Sequence, residues 1–334
     1  MKKLLVLWLF SCASVATTVF AETAQRASEE VQLVFAGDTT LDSTPGDWIR
    51  RGKDPIASFG QLFAEADLRL LNLECVVATS GQPVAKHYTF RAHPLVLQTL
   101  KRHVDGVTLA NNHSGDYGRE AFVEMLGLLD KHQLAQAGGG LNLAQAHTPW
   151  IVQRKGLRIA ILSYNEFMPR SYEAQSHAAG IAWSEDEQVV DDIRRARRDY
   201  QADIVLPFMH WGWENEPAAN TRQRELAKKM IDAGADAVIG GHPHVTQDIE
   251  FYQGKPIVYS VGNFIMRETD NAQQRIGWVL RLKIKKSGVE SFDTHTARIN
   301  QQGIPRYDKT SLSPCWQKSW AKERLCLAGQ PAPQ

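Results

Sequence analysis

Apolar runs of strand length alternate with one-sided helical patterns over most of the chain. Short apolar runs predict strands at 31–37, 68–73, 107–110, 204–209 and 237–239. Apolar residues spaced as on one face of a helix predict helices at 94–104, 117–132, 189–200 and 226–233. Paired runs predict hairpins that turn at Lys155-Gly156 and Gln253-Gly254, and further antiparallel strands at 278–284 and 292–299. The mixture predicts a large layered α/β sandwich with mixed sheets.

Polar clusters follow six of these apolar runs, each at the point where the predicted strand ends. The clusters are Asp38, Asn72 with Glu74, Asn111-Asn112-His113, His210, His242 with His244, and Asn263. In open α/β sheets, ligands bind in the crevice beyond the carboxyl ends of the strands. We therefore expect the six clusters to meet at one rim of the sandwich.

The stretch Gly240-Gly241-His242-Pro243-His244 places two imidazoles two residues apart. The two rings could serve two different metal sites. If the backbone turns at Pro243, both rings can instead bind one metal. Read alone, the stretch is also compatible with an ordinary surface loop. The polar clusters elsewhere in the chain favour the metal site.

The donor types in the six clusters predict a metal centre. Carboxylates, amides and four imidazoles together suit zinc, manganese or iron, whereas calcium prefers oxygen ligands alone. We expect one or two divalent transition metals, and two metals are the usual arrangement for cleaving phosphate esters. Histidines outside the clusters are expected to be structural: His87, His93, His103, His132, His147, His177 and His295.

Several of the clusters have plain structural alternatives. Asp38 could belong to a turn at the end of its strand, and Asn72 with Glu74 could be a turn cap and a solvated carboxylate. His113 precedes Ser114 and Asp116, which are good capping residues for the helix predicted from Tyr117, so this segment could simply start a helix. The run from His210 to Glu214 contains two tryptophans and could be an aromatic surface loop. Coincidence at all six strand ends is the weaker explanation.

The N-terminus has the pattern of a signal peptide. Lys2 and Lys3 precede an apolar run, and Val19-Phe20-Ala21 resembles a cleavage site, so we expect residues 1–21 to be removed. An uncleaved membrane anchor is the main alternative, and lipidation at Cys12 is a weaker one. Either way the protein is predicted to be exported, in the periplasm or attached to the outer face of the cytoplasmic membrane.

Net charge and cysteine content bear on which ligands and which cellular compartment the protein could have. Loss of Lys2 and Lys3 with the leader would lower the formal net charge from +1 to −1, which gives no reason to expect nucleic acid binding. Cys315 and Cys326 could pair in an oxidising compartment, whereas Cys75 would remain alone. The length allows one large domain or two smaller ones, and the tail after Ala328 is expected to be disordered.

Seven stretches, in order, resemble one protein family: FAGDTTL, NLECVV, KHYTFRAHP, TLANNHSGDYG, MHWGWE, GHPHV and YSVGNF. They are similar to the capsule-synthesis CapA family, also called poly-γ-glutamate biosynthesis (PgsA-like) proteins, within the calcineurin-like metallophosphatases. The likeness runs from about residue 31 to residue 267. It implies a four-layer αββα metallophosphatase-like sandwich with two mixed β-sheets. We assign the domain to 31–300 and a C-terminal extension to 301–334.

The resemblance also implies roles for individual residues. Asp38 and His244 would bind the first metal, and Glu74 would bridge the two metals. The second metal would be held by Asn112, His210 and His242. Together with Asn112, His113 would be catalytic, either stabilising the transition state or protonating the leaving group.

Two departures from the superfamily pattern affect the first metal. Phosphatases of this superfamily usually carry Asp-x-His at the first strand, and Thr40 stands where that histidine would be. The bridging position is Glu74, where an aspartate is usual. One ligand fewer implies a weaker first metal, so a single occupied site is also compatible with the sequence.

The function implied is a metal-dependent, phosphoesterase-like hydrolase or transferase in capsule or poly-γ-glutamate (exopolymer) biosynthesis. Its substrate would be an anionic polymer or a phosphoester. Lys86 and Arg91 are expected to bind anionic groups. The remaining substrate-contacting residues are expected to be Asn72, Asn263, Trp211 and Glu214. The alternative is a non-catalytic accessory protein that binds an exported anionic polymer or a membrane-embedded polymer synthase.

Overall fold

The computed structural model describes residues 30–267 and 269–328. The predicted leader, residues 1–21, and the predicted disordered tail lie outside the described residues. The proposed division at residue 300 stays a prediction, although strands from both sides of it share one sheet.

Twenty strands run through the described residues. They are β1 (Val31–Thr39), β2 (Leu68–Leu73), β3 (Val76–Val77), β4 (Arg91–Ala92), β5 (Gly106–Thr108), β6 (Ala135–Ala137), β7 (Gly139–Gly140), β8 (Trp150–Arg154), β9 (Leu157–Asn165), β10 (Gly180–Ile181), β11 (Ile204–His210), β12 (Val238–Gly241), β13 (Ile249–Tyr252), β14 (Lys255–Val258), β15 (Asn263–Ile265), β16 (Ile276–Lys285), β17 (Gly288–Ile299), β18 (Pro305–Asp308), β19 (Leu312–Gln317) and β20 (Arg324–Leu327).

Seven α-helices and two short 3-10 turns connect the described strands. The helices are α1 (Ser43–Arg50), α2 (Gly60–Ala64), α3 (Val96–His103), α4 (Gly118–Lys131), α5 (Leu143–Ala146), α6 (Asp186–Arg198) and α7 (Thr221–Ala233), and the turns are Ala57–Phe59 and Arg170–Tyr172. Among the described residues, none of the helices is both long and apolar enough to span a membrane.

The strands form two mixed sheets and two small pairs. The larger sheet has ten strands in the order β20-β19-β17-β16-β1-β2-β5-β6, with β15 beside β1 and β18 beside β17. The smaller sheet has six strands in the order β13-β14-β12-β11-β9-β8. At the centre of each sheet the neighbouring strands are parallel, β1 with β2 and β11 with β12, so their carboxyl ends lie together.

Three apolar clusters separate four layers. One cluster fills the space between the sheets, where the rings of Phe35 and Phe208 stack with their centroids 4.8 Å apart. A second lies between the larger sheet and α2, α3 and α4, and a third lies between the smaller sheet and α6 and α7. The four-layer αββα sandwich with two mixed sheets is therefore confirmed.

Most predicted elements are present, with differences at their ends. The helix predicted from Leu226 begins at Thr221, because Asn220 and Gln223 form a reciprocal capping box. The strand predicted to reach Ala110 ends at Thr108, and the next residues leave the sheet as a loop. The hairpins at Lys155-Gly156 and Gln253-Gly254 are formed as predicted.

The C-terminal strands extend the larger sheet. Strand β19 pairs with β17, and β20 pairs with β19. A disulfide joins Cys315 to Cys326 across β19 and β20, in the pairing that the sequence suggested, and Cys75 is free and buried.

Candidate metal centre

The carboxyl ends of the central strands of both sheets meet at one rim. Asp38 at the end of β1 lies beside Asn72 of β2, and His210 at the end of β11 lies beside Gly241 of β12. The backbone N–H of His242 donates to Asp38 Oδ2 at 2.9 Å, which ties the two sheets together at this point. The predicted convergence of polar clusters is present.

Glycine is required at position 241 by this close approach of the sheets. A Cβ built there would lie 2.6 Å from Asp38 Oδ1, which is closer than real contacts allow. Asn72 Nδ2 donates to the same carboxylate oxygen at 2.7 Å. The Asn72 amide is itself oriented by Thr108 and Asn111, which donate to its oxygen, so Asn72 lies behind Asp38 and positions it.

One donor set, the Asn112 site, consists of Glu74, Asn112, His210 and His242. Asn112 Oδ1, His242 Nδ1 and Glu74 Oε1 lie 2.9, 3.1 and 3.4 Å from His210 Nε2. Two imidazoles, an amide oxygen and a carboxylate form a ligand set that suits a divalent transition metal.

The other donor set, the Asp38 site, consists of Asp38, Glu74 and His244. The His244 ring lies beside both carboxylates, with its Nδ1 3.7 Å from Asp38 Oδ2 and 3.9 Å from Glu74 Oε2. Donor atoms of the three residues lie within 4.8 Å of one another. Glu74 is common to both sites and so stands in the bridging position that the resemblance implied.

Glu74 provides the test of whether a metal fits. Its side chain is fully buried, and within the described residues neither carboxylate oxygen has a hydrogen-bond partner. Burial, and then repulsion from Asp38, raise the pKa of Glu74 well above its ordinary value. A buried carboxylate costs free energy unless a cation or donors compensate it. The residues present therefore fit a bound divalent cation.

Two of the buried imidazoles, His210 and His242, are held in the neutral form that metal binding requires. Burial lowers the pKa of His210 to about 3, and burial with repulsion from His210 and His244 lowers that of His242 well below its ordinary value. Burial opposes protonation of His244 as well, but the carboxylates Glu74 and Asp38 outweigh it and raise its pKa. His244 is thus the imidazole most strongly attracted to the two carboxylates.

The backbone does turn between the two histidines. His242 and His244 both have positive φ, 95° and 59°, which is uncommon for residues other than glycine. The rings nevertheless serve different donor sets, with centroids 5.9 Å apart. Strained backbone of this kind persists only where the surrounding structure holds it in place, as at ligand sites.

Asn263 orients His244. Its Nδ2 donates to the carbonyls of His244 and Gln274, which fixes the direction of the amide, so its Oδ1 must accept from His244 Nδ1 at 2.9 Å. His244 therefore carries its proton on Nδ1 and presents the lone pair of Nε2 to a ligand. Asn263 was predicted to contact substrate, and in the structure its amide hydrogen-bonds to His244 and to the Gln274 carbonyl.

His113 lies in a buried hydrogen-bonded cluster beside the Asn112 site. Its Nδ1 is 2.6 Å from Asp116 Oδ2, and Lys86 Nζ donates to Asp116 Oδ1 at 2.9 Å and to the Asn112 carbonyl at 2.7 Å. The Phe90 ring stacks on the imidazole at 4.1 Å. Burial outweighs attraction to Asp116 and lowers the pKa of His113 to about 4. Asp116, read in the sequence as a helix cap, is the centre of this cluster.

Thr40 occupies the position of the missing histidine and is fully buried. Its hydroxyl donates to the Glu74 carbonyl at 3.3 Å, and Met266 Sδ lies 3.9 Å away. The side chain therefore supports the backbone of Glu74, and the Asp38 site keeps three protein donors.

A cleft of about 290 Å³ opens over the centre and is lined by His113, His244, Glu214, Tyr88, Phe90 and Arg267, among others. The Arg267 guanidinium lies 5.6 Å from the Tyr88 ring centroid and 5.7 Å from that of Phe90. Sequence reasoning missed Arg267, although it follows the YSVGNF motif by three residues. Donor atoms of Glu214, His242 and His244 lie within 4.8 Å of one another, so Glu214 lies beside the two histidines.

The other predicted substrate-binding residues have internal partners. Arg91 donates to the carbonyls of Ser80 and Gly81 and lies over the Tyr117 ring. Trp211 is buried in the core between the smaller sheet and its helices, where its Nε1 donates to the Tyr259 carbonyl. The contacts of Lys86 are those with Asn112, His113 and Asp116.

Comparison with known proteins adds family information. Residues 32–268 match the family described as "Bacterial capsule synthesis protein PGA_cap". The "PGA biosynthesis protein CapA" of Bacillus subtilis (strain 168) is 34% identical over 204 residues, covering 61% of this chain and 53% of that protein. The "Capsule biosynthesis protein CapA" of Bacillus anthracis is 26% identical over 311 residues, covering 87% of this chain and 72% of that protein.

A solved structure supports the fold alone. A hypothetical protein from Thermus thermophilus aligns with a TM-score of 0.52 at 15% identity, covering 80% of this chain and 98% of that one. The chain spans about half the length of its Bacillus subtilis relative, so the activity of that whole protein does not transfer directly. The family match covers most of the chain and includes every proposed ligand. The chain belongs to the bacterial capsule synthesis protein family PGA_cap.

Proposed function

We propose that this protein is a metal-dependent hydrolase that acts in the biogenesis of an exported anionic polymer such as poly-γ-glutamate. The observation that supports it most is Glu74, a fully buried carboxylate without a hydrogen-bond partner in the described structure, surrounded by imidazoles and an amide. The cofactor would be one or two divalent transition metals, manganese, zinc or iron. When bound, such a metal supplies Lewis-acid polarisation of water and of a phosphoryl or acyl oxygen.

The chain's own residues would position the ligands and the substrate. Asn72 and the His242 backbone N–H hold Asp38, and Lys86 holds the Asn112 carbonyl. His113 donates from Nδ1 to Asp116, which leaves Nε2 as the ring nitrogen available to a molecule in the cleft. His113 would thus accept or return a proton at Nε2.

Arg267 supports an anionic substrate. It lines the cleft beside His113 and His244, with the faces of Tyr88 and Phe90 beneath its guanidinium. Within residues 30–267 and 269–328, no carboxylate lies at ion-pair distance from Arg267. A planar guanidinium binds carboxylate and phosphate groups in two-pronged fashion, so a phosphoester or a carboxylate-bearing polymer fits this wall of the cleft.

We further propose that the protein works outside the cytoplasm, in the periplasm or attached to the outer face of the cytoplasmic membrane. The signal-peptide pattern of residues 1–21 supports this location. The bond between Cys315 and Cys326 is also of the kind that persists in oxidising compartments.

The test is to assay the metal-loaded protein on phosphomonoesters, phosphodiesters and γ-glutamyl oligomers, beside His210→Ala and His177→Ala. His210 belongs to the Asn112 site, whereas His177 is exposed and outside both donor sets. We expect hydrolysis by the wild type and His177→Ala, and loss of at least about a hundredfold in His210→Ala. Equal rates in all three proteins, or no hydrolysis by the wild type, would contradict the proposal.

The replacement of the usual first-strand histidine by Thr40 favours a second function, that of a non-catalytic accessory protein. Such a protein would use the fold to bind an anionic polymer or a membrane-embedded synthase. In a strain whose polymer production depends on this protein, metal-site variants such as His210→Ala would then restore production fully. The hydrolase proposal expects that they fail to do so.

A further inference from the structure

Glu214 lies on a loop that is fixed against the His242-Pro243-His244 turn. At one end of the loop the Trp211 N–H donates to the Gly241 carbonyl at 3.2 Å, and at the other the Asn215 N–H donates to the Pro243 carbonyl at 2.9 Å. These two backbone bonds bracket Glu214 and hold it beside the two imidazoles.

The donor atoms of Glu214, His242 and His244 are close enough to share an ion. One atom from each residue lies within 4.8 Å of the others, and both histidines are buried. His242 Nε2 is buried and, among the described residues, has no hydrogen-bond partner. The Glu214 carboxylate itself is exposed and makes no hydrogen bond to the described chain. The Glu214 carboxylate therefore lies close to the His242 ring, and neither this carboxylate nor the buried Nε2 of that ring has a hydrogen-bond partner among the described residues.

The adjoining Asp38 site is the one with fewer ligands. It has three protein donors, against four in the Asn112 site, because Thr40 directs its hydroxyl to the Glu74 carbonyl. His244 belongs both to the Asp38 site and to the group that contains Glu214. A further donor next to His244, on the solvent side, would take the place of the histidine that is absent from the first strand.

We propose that Glu214 is an additional ligand of the metal centre, next to the Asp38 site on the side of His242 and His244, and that it compensates for the absent first-strand histidine. The inference rests on the metal centre of the proposed function. Glu214 would bring a further carboxylate oxygen to the His244 side of the centre, so this side would be richer in oxygen donors than the Asn112 site. Carboxylate-rich sets suit manganese, whereas sets with more imidazole suit zinc. The two positions would accordingly differ in metal preference.

The test is manganese titration of metal-free protein by calorimetry, with Glu214→Gln, Glu214→Asp and Glu216→Gln. Glu216 is exposed in the same loop and outside the metal-binding groups, so it is the matched control. We expect two binding events in the wild type and in Glu216→Gln. In Glu214→Gln one event should weaken by about tenfold or more while the other is unchanged, and Glu214→Asp should recover part of the loss.

The outcomes separate this inference from the proposed function. If the wild type binds two metals and Glu214→Gln binds both with the affinities of Glu216→Gln, Glu214 is not a ligand and the metal centre stands. If the wild type binds no metal, both the centre and the role of Glu214 are wrong. A single binding event that Glu214→Gln does not alter also contradicts the inference.

Discussion

Glu74 contributes to both donor sets, and its carboxylate is buried beside that of Asp38. Without a cation, the two acidic groups oppose each other in a region that water does not reach, which raises the pKa of Glu74. With a cation bound, the carboxylates of Glu74 and Asp38 would be its negatively charged ligands. The stability of the protein should therefore depend on metal through this residue.

Replacement of Glu74 by glutamine should have opposite effects with and without metal. In metal-free protein we expect Glu74→Gln to raise the free energy of unfolding by about 1–3 kcal/mol, because a buried acidic group without partners is removed. Added manganese or zinc should stabilise the wild type and leave the variant unchanged. Urea unfolding with and without metal measures both effects. A variant that is still stabilised by metal like the wild type would contradict the bridging role.

Replacement of Asn263 by alanine should weaken metal binding without removing a ligand. Asn263 fixes the proton of His244 on Nδ1, and loss of such an orienting partner typically costs about 10–100-fold in metal affinity. Titration of Asn263→Ala measures the change. Asn142→Ala, which removes a helix cap outside the metal-binding groups, should keep the wild-type affinity. Equal affinities in the two variants would show that Asn263 does not orient His244.

For single residues, the sequence predicted which side chains could bind a metal better than it predicted the contacts that orient those side chains. Asp38, Glu74 and the imidazoles are recognisable because each follows an apolar run. The orienting role of Asn263, the position of Arg267 over two rings and the hydrogen bonds at Asp116 depend on segments far apart in the chain. No local pattern encodes such contacts, so they could not be predicted from the sequence alone.

At the scale of elements, α6 is fastened to the smaller sheet by a buried polar group. Asp192 on α6 accepts from Tyr164 on β9, from Gln188 and, at 2.7 Å, from His147 Nδ1. Asp192→Ala should destabilise the protein by about 3–5 kcal/mol, because several buried donors lose their acceptor at once. Asp191→Ala, at the exposed neighbouring position, should cost less than about 0.5 kcal/mol. Urea unfolding compares them, and similar losses would contradict the anchoring role.

The pairing of β16 with β17 should contribute stability that is lost in acid. Burial opposes the charge on Asp293, but the nearby His295 and the hydrogen bonds from the Arg281 guanidinium outweigh it and lower the pKa of Asp293 from 3.8 to about 2. Since the folded-state pKa lies below the unfolded value, the stabilisation is complete above about pH 4 and disappears as the pH falls towards 2.

Unfolding measured across this pH range, on metal-free protein, checks the prediction. Asp293→Asn should be less stable than the wild type near neutral pH, and the difference should shrink as the pH approaches 2. A difference that stays constant or grows in acid would show that Asp293 is not the source of the pH dependence.

Periodicity predicted the long elements and not the short ones. The apolar stripe of α4 and the buried run of β11 are each long enough to define a period. The two-residue strands β3, β4, β7 and β10 are too short to show a period, and each pairs with a strand that is distant in the chain. The early start of α7 follows from the reciprocal cap between Asn220 and Gln223, which lies outside the apolar stripe.

At the scale of the whole molecule, the centre exists because the two sheets are packed face to face. Asp38, Glu74 and Asn112 lie at or beyond the ends of strands of the larger sheet, whereas His210, His242 and His244 lie at or beyond the ends of strands of the smaller one. The apolar cluster around Phe35 and Phe208 fixes the distance between the sheets. The layered fold was predictable from alternating patterns, but the distances between donors depend on this packing.

The central claim is that the rim between the sheets holds divalent metal. Crystals soaked separately in manganese and in zinc, with anomalous diffraction data for each, test it most directly. We predict one anomalous peak among Glu74, Asn112, His210 and His242, and a second among Asp38, Glu74 and His244, with Glu74 touching both. Well-ordered side chains at these positions, with no anomalous peak in either soak, would contradict the account.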